Sequence, residues 1–587
     1  MRIQNYHFTF LFGFGCVLTL SLLPFYQGGT IILGGEGNYI LDYSQHLKIT
    51  FHQWISRFGL GTVNLSPGAN MANIVFLALI ENIFQNEAFP NFVLIFLMYF
   101  LPYLGMYLIS AELRIKPYIC GLVSLFYVIN PFSIFFLNTL NQWNNFSISL
   151  IPILFWIILR YYHDNLKLFL YFGSISALFS FAYTNHPLSA IIHISTILSV
   201  YITSYYHNKK FIAFEVVKKY LLVFSAFFLF NCWWLLNMFQ GVPTALTIYK
   251  ADIAKNWLIQ TVNGVGNPLA RSLSLTHITG SKGDSMLFAD YFHTSSTFFI
   301  GLIPIFLVVS GVFFSKKTNL HKLFVHTLIL MLIAVFLLKG AAPPLGNIYL
   351  FFFDNVPFFN IFKSPIEKFG LLYIFLLSLL IAFTTLAAQR SKHYRAGIIL
   401  FIGYLLFCIG PFLMGNRIIP ESFLNNGSSR IVMSRVYSER SWYRNFRNYM
   451  NNEKLEYKVL SLPGTNNYQV LFDLPKGGKY IGLDPLLHNI NKGHLAAHNN
   501  KKMIRDSYRL LLEKNSQYFL GSFNIGKLVI NNDLEPWFGF RGSADSKQLR
   551  SRYKNLAFKN FGNISTHTLS QNFIPIVHTT KNIIISK

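Results

Sequence analysis

FTFLFGFGCVLTLSLLPFY, Phe8–Tyr26, is an unbroken apolar run behind a single early charge, Arg2. About 20 mainly apolar residues suffice to cross a bilayer as a helix. The run lacks a small-residue cleavage site and more such runs follow it, so it reads as an uncleaved first transmembrane helix rather than a secretion signal. Further runs occupy Asn91–Ile109, Tyr118–Phe136, Phe146–Tyr161, Leu166–Tyr183, Leu188–Ser204, Tyr220–Phe239, Ser295–Phe314, Leu323–Leu338, Phe369–Ala388 and Ala396–Gly415. The total expected is about eleven spans. Ile74–Phe84 is too short to cross and is expected at the interface.

The composition agrees. Hydrophobic residues make up 53% of the chain and aromatic residues 17%, above the usual soluble pattern. Lys plus Arg number 49 against 23 Asp plus Glu, for a net charge of +26. That excess does not point to nucleic acid, because many of the basic residues lie in short loops between apolar runs, where they set orientation. With the N-terminus placed in the cytoplasm, the inner connections hold Arg114 and Lys116; Arg160 and Lys167; Lys209, Lys210, Lys218 and Lys219; Lys316, Lys317 and Lys322; and Arg390, Lys392 and Arg395. The short outer connections Asn138–Asn145 and Thr184–Pro187 hold none.

This orientation turns three long segments outward: 27–90, 240–294 and 339–368. The two expected domains are a membrane domain, 1–415, and an extracytoplasmic soluble α/β domain, 416–587. In the second, Tyr457–Leu462 and Lys527–Ile530 read as strands and Lys501–Phe519 as a helix. Its lysines and arginines read as a solvated face. The four cysteines, Cys16, Cys120, Cys232 and Cys408, all fall in apolar runs. They form no disulfide framework, and no metal-ligand spacing appears.

Acids are scarce, and a carboxylate beside a bilayer costs free energy unless it is paired or used. The first candidates for chemistry are therefore Glu36 and Asp42 in Gly34-Gly35-Glu36-Gly37-Asn38-Tyr39-Ile40-Leu41-Asp42. A general base must be approachable by its substrate, and the neighbouring glycines let the backbone turn tightly beside it. Trp54, in the same segment, suits either a sugar face or an interfacial aromatic belt. In the third outward segment, Lys363 and Lys368 flank Ser364-Pro365, a helix-start signal. Two lysines at a helix N-terminus suit a phosphate held at the membrane surface. Weaker substrate-binding candidates are His186, more simply a capping or packing residue, and Asp290 with His293. Asn141-Gln142-Trp143-Asn144-Asn145 reads as a polar outer loop of the kind that recognises sugars.

Several short stretches, taken in order, carry a resemblance. They are Gly34-Gly35-Glu36 with Trp54 and Gly59, Phe362-Lys363-Ser364-Pro365-Ile366-Glu367-Lys368-Phe369, Tyr457-Lys458-Val459-Leu460-Ser461-Leu462-Pro463, Tyr480-Ile481-Gly482-Leu483-Asp484-Pro485, and Leu520 to Ile530. Together they resemble the GT-C glycosyltransferases, within them the arabinofuranosyltransferase AftD-type membrane proteins and the related YfhO-type proteins. The family's loop acid is Asp where this chain has Glu36, and its Arg is here Lys363, which lacks the bidentate fork.

The resemblance implies a mainly α polytopic bundle of GT-C type carrying an α/β domain. It implies sugar transfer from a polyprenyl-phosphate donor to a glycan, lipid or protein hydroxyl on the outer face of the membrane. Glu36 or Asp42 would be the base, and Lys363 and Lys368 would hold the donor phosphate. No cofactor is implied with certainty, and a divalent cation is left open. Membrane lipids are expected partners; nucleic acid is not. The alternatives are a flippase for lipid-linked sugars or a non-catalytic envelope-assembly protein.

Overall fold

A computed structural model of the protein describes residues 2–24, 26, 31–34, 43–50, 54–55, 62–63, 66–138, 142–209, 213–248, 251–264, 268–275, 295–316, 318–389, 391, 393–413, 431–432, 434–437, 441–453, 457–462, 470–473, 479–482, 490, 493–495, 525–535 and 558–568. The chain divides into two compact units. The first comprises Met1–Gly37, Leu65–Asn425 and Ser434–Val436; the second comprises Asn38–Asn64, Asn426–Met433 and Tyr437–Lys587.

The first unit is helical. Among the described residues, 6 helices are long and apolar enough to cross a membrane: Ala88–Glu112, Gln142–Tyr161, His186–Asn208, Phe298–Ser315, His321–Leu338 and Pro365–Ala388. The protein is a multi-pass membrane protein. The expected count of about eleven spans is not confirmed among the described residues, and local chemistry interrupts two of the expected runs. The run Tyr118–Phe136 breaks at Asn130-Pro131 into helices Pro117–Ile129 and Pro131–Asn138. Proline has no N–H with which to continue the first helix. The Asn130 amide donates to Phe126 O at 2.8 Å and to Ser133 Oγ at 2.8 Å, which holds the break inside the protein. The run Leu166–Tyr183 stops being α-helical at Leu178 and continues as a 3₁₀ turn, Ser180–Thr184. Tyr220–Phe239 lies within one helix, Ala213–Ile248. The first run forms Arg2–Leu22 and the last Tyr394–Leu413.

Pro365–Ala388 is the core of this unit and is buried along almost its whole length. It packs on His321–Leu338, Phe298–Ser315 and Pro117–Ile129. Lipid tails supply no hydrophobic force between helices, so close approach at small residues takes its place. At Gly370 a Cβ would run into the Phe132 ring. Outer helices instead turn large side chains outward: Phe306 is 62% exposed and Phe313 64%, as a lipid-facing surface requires. The segment expected to be a polar outer loop behaves differently. Gln142 and Asn145 are buried in the first turn of Gln142–Tyr161. Gln142 Oε1 accepts from Asn70 Nδ2 at 3.3 Å, and Asn145 Nδ2 donates to Leu137 O at 3.2 Å. Those polar groups hold helix ends together.

The second unit is mixed α/β. Its larger sheet runs, in spatial order, Lys559–Phe561, Ile564–Thr568, Ile525–Asn531, Lys458–Leu462, Gly493–Leu495. Ile525–Asn531 is buried throughout, lies parallel to Lys458–Leu462 with Val529 opposite Ser461, and is antiparallel to Ile564–Thr568. A strand flanked on both sides in this way reads in sequence as an apolar run. Helix Ser441–Asn452 packs on the hairpin at the sheet edge, where Tyr443 donates its hydroxyl to Asp533 Oδ2 at 3.0 Å.

One tail lysine departs from the solvated face expected of it. Lys527 is buried, ion-paired with Glu453, and donates to the Tyr449 hydroxyl at 2.5 Å. Burial presses its ammonium below the usual lysine range. Burial acts first on Glu453 too, in the raising direction. The hydrogen bonds from Lys527, Tyr457 and Tyr449 outweigh it and hold that carboxyl below its usual value.

Candidate functional site

The chain reaches the N-terminal end of the core helix through a tight corner. A 3₁₀ turn, Phe359–Phe362, gives way to Lys363 and Ser364, and Pro365 opens the helix, as its fixed φ and missing N–H suit it to do. The corner is anchored from behind. The Tyr349 hydroxyl donates to Phe362 O at 2.9 Å. The rings of Tyr349, Phe359, Phe362 and Phe369 then stack in succession, with centroids 5.3, 5.5 and 4.8 Å apart.

Helix Ala251–Gly264, from the segment 240–294, closes over the corner. Trp257 Nε1 donates to Ser364 Oγ at 3.0 Å. Lys363 Nζ sits 5.1 Å from the centre of the Trp257 ring, in cation–π range. Two residues earlier, Lys255 pairs with Asp354 at 2.7 Å. Ser364 makes no side-chain cap to its own helix, and its hydroxyl is engaged by the indole.

A third lysine arrives from the preceding helix. Lys339 follows His321–Leu338, is buried, and donates to Ala342 O at 2.7 Å. Gly340 next to it has φ +60°, and a Cβ there would lie 2.7 Å from Pro365 Cγ and 3.3 Å from Val262 Cγ2. The backbone therefore runs hard against the start of the core helix, which only glycine permits. Lys368, one turn into the helix, is 8% exposed and meets Glu367 at 3.4 Å.

Lys363 and Lys368 thus flank one helix N-terminus, itself the positive end of the helix dipole, while the Lys339 ammonium turns back to Ala342 O. Burial pushes the Lys363 ammonium below its ordinary range, and the charge of Lys368 pushes it further in the same direction. Burial does the same to Lys339. With Glu367 already beside Lys368, the desolvated Lys363 ammonium is the cation that an anion would stabilise most, and phosphate fits its donors. Arg271, on Pro268–Leu273, is another desolvated cation, on the segment that carries Trp257. That short helix meets the core helix where the Tyr373 hydroxyl donates to Leu273 O at 3.3 Å.

Lys363 and Lys368 are the sequence candidates that the fold brings together. Lys339, Lys255 and Trp257 went unread in the sequence. Lys339 had a signal, a lone lysine beside Gly340 at the outer end of an apolar run. Trp257 had none, since its partner Ser364 is 107 residues away.

His186 is the first residue of His186–Asn208 and is half buried. Asn185 caps that helix, accepting from Leu188 N at 3.4 Å. Trp54 lies in a short strand paired with Thr62–Val63; its side chain is outside the described set. Glu36, Asp42, Asp290 and His293 lie outside the described residues, as does the expected helix Lys501–Phe519. Among the described residues no group of three or more His, Cys, Asp and Glu is placed to hold a metal ion.

Solved structures that share this fold include that of the arabinofuranosyltransferase AftD from Mycobacteria, at a TM-score of 0.59 and 11% identity over 95% of this chain. Two structures of a mutant of that enzyme match at TM-scores of 0.56 and 0.52, each with 12% identity over 95% of the chain. This chain spans 40% of the length of the first of these structures. No family model and no curated protein sequence matches it.

Proposed function

We propose that the protein is a membrane glycosyltransferase. It moves a sugar from a polyprenyl-phosphate donor to a hydroxyl of a cell-envelope glycan, lipid or protein. The observation that carries this reading is the placement of Lys363 and Lys368 at the N-terminus of the core helix, with Lys363 partly desolvated there. Loop charge turns that end outward under the positive-inside rule, and a lipid-borne donor is what an outward site requires.

The reaction is a single displacement. A carboxylate, Glu36 or Asp42, takes the proton of the acceptor hydroxyl. The hydroxyl oxygen attacks the anomeric carbon from the face opposite the phosphate. The carbon–oxygen bond to phosphate breaks, and polyprenyl phosphate leaves with that electron pair. The configuration inverts. Lys363 and Lys368 neutralise the charge growing on the leaving phosphate, the interaction that most favours the transition state over the bound donor. The Trp257 indole and the Gly340 backbone hold the lysines in place.

The test is transfer in proteoliposomes from a synthetic polyprenyl-phosphate sugar, comparing the wild type with Glu36→Gln, Asp42→Asn and Lys363→Gln. Loss of product in Lys363→Gln and in one carboxylate variant supports the reading. Full activity in both carboxylate variants removes the proposed base, and movement of labelled donor across the bilayer without product makes the protein a flippase.

A further inference from the structure

At its other end the core helix borders a cavity that sugar transfer does not use. A partly open groove, with about 40 Å³ of room of its own, lies between the last turns of Pro365–Ala388, the end of Ile303–Ser315 and the start of Tyr394–Leu413. Leu307, Phe314, Ile381, Ile398 and Phe401 make its walls apolar. The hydroxyls that line it are turned back onto their own helices: Ser310 Oγ donates to Leu307 O at 2.7 Å, Thr384 Oγ1 to Leu380 O at 2.8 Å and Thr385 Oγ1 to Ala382 O at 2.8 Å. With these donors already engaged, the interior suits hydrocarbon.

Gly397 keeps the space open. A Cβ there would meet nothing nearer than Leu307 Cδ2 at 4.0 Å. The helices on either side present Phe306, Phe313, Ile399 and Leu406 outward, so the slot lies among side chains that face acyl chains.

The mouth is basic. Tyr394 lines it, and its hydroxyl is 3.3 Å from that of Tyr118. Lys116 Nζ stands 5.8 Å from the Tyr394 ring centre. Arg395, next in the chain, and Lys316, just past Phe314, are both exposed. Lys316 rests over the Phe313 ring at 5.6 Å, its stem along apolar surface and its charge toward the headgroup level.

We infer that this groove binds an anionic glycerophospholipid, with one acyl chain lying along it and the phosphate in reach of Lys116, Lys316 and Arg395. Basic pockets between membrane helices recognise such headgroups. The inference stands independently of sugar transfer, since it involves the opposite end of the core helix and none of the proposed donor-site residues.

The experiment uses the full chain, purified and delipidated in detergent. Dioleoyl phosphatidylglycerol or dioleoyl phosphatidylcholine is added back and counted by native mass spectrometry. The wild type should retain one phosphatidylglycerol in clear preference to phosphatidylcholine. Gly397→Leu fills the slot and should lose that lipid. Gly403→Leu is the control on the same helix, because a Cβ there meets nothing within 4 Å; it should keep the lipid.

Replacing Lys116, Lys316 and Arg395 together by Gln should erase the headgroup preference, each residue contributing on the order of 5-fold. Should Gly397→Leu fold poorly, Ser310→Leu plugs the slot from the facing helix and gives the same readout. Equal binding of the two lipids by the wild type, undiminished binding in a folded slot-filling variant, or equal loss in Gly403→Leu overturns the proposal.

Discussion

The two ends of helix Pro365–Ala388 carry charge of the same sign into opposite electrostatic settings. At the N-terminus, Lys363 and Lys368 sit at the positive end of the helix dipole, partly out of water, with Glu367 beside Lys368. Beyond the C-terminus, Arg395 and Lys316 lie exposed, where their charges stay hydrated. The first arrangement costs free energy at Lys363 in the empty protein and is relieved by an anion. The second costs little without any ligand. Basic residues at a membrane surface are therefore uninformative by themselves; their burial and the direction of the helix they flank decide what they mean. That is why the cavity beside Gly397, rather than charge alone, carries the lipid assignment.

The comparison can be broken by substitution. The largest effect is expected at the proposed base. Whichever of Glu36→Gln and Asp42→Asn removes it should lower kcat for transfer by roughly 10²–10⁴-fold, the range of general acid–base catalysis, with the donor KM little changed. Next comes Lys363→Gln, expected to weaken transfer by about 10- to 100-fold, which corresponds to about 1.5–3 kcal/mol for a charge-assisted hydrogen bond. The same substitution relieves like-charge crowding, so the melting temperature of the ligand-free protein should rise rather than fall. A purely structural lysine would show the reverse, a lower melting temperature with transfer changed only in proportion.

Gly340→Ala should be smaller in its effect on chemistry and larger on folding. A left-handed non-glycine residue costs roughly 1–2 kcal/mol, and its Cβ would press on Pro365 Cγ at 2.7 Å. Thermal unfolding measures it. The smallest effect is expected from Lys316→Gln at the far end, which should leave transfer unchanged within about 2-fold while shifting lipid selectivity by roughly 5-fold.

The pH dependence sharpens the same contrast. Lys363 has a folded-state pKa lowered by burial and by Lys368. Its penalty on the folded, ligand-free protein is full below that lowered pKa and fades as pH rises toward the unfolded value, so stability rises across that window. Anion binding needs the protonated form. Inhibition of transfer by inorganic pyrophosphate should therefore weaken over the same window, and the decline should shift in Lys368→Gln. A pyrophosphate affinity that stays flat through the lysine range would remove Lys363 from the anion site.

Much of the fold was legible because long apolar runs and short β-rich runs announce themselves. Tyr457–Leu462 and Lys527–Ile530 were read within a residue or two of the observed Lys458–Leu462 and Ile525–Asn531. The count of spans was less legible. Hydropathy does not see that Asn130 ties the break before Pro131 into the interior, or that the run past Leu178 tightens to a 3₁₀ turn. The lysine pair at Ser364-Pro365 was legible from its helix-start signal. Its surroundings were not, because Trp257 and Lys339 reach the corner from other parts of the chain. For the same reason, Asn145 looked like a sugar-binding loop residue until Leu137 O was found to accept its amide.

By itself, then, the sequence determined that this is a bundle of membrane helices with an α/β tail, because the bilayer imposes length and apolarity on each span separately. It also marked the lysines at the head of the core helix, because the Ser-Pro start signal is local. Tertiary structure alone decided which basic groups are desolvated together, that an indole from a remote segment holds Ser364, and that Gly397 leaves a slot rather than a contact. Those are properties of side chains meeting across the fold, and no window of sequence contains both partners.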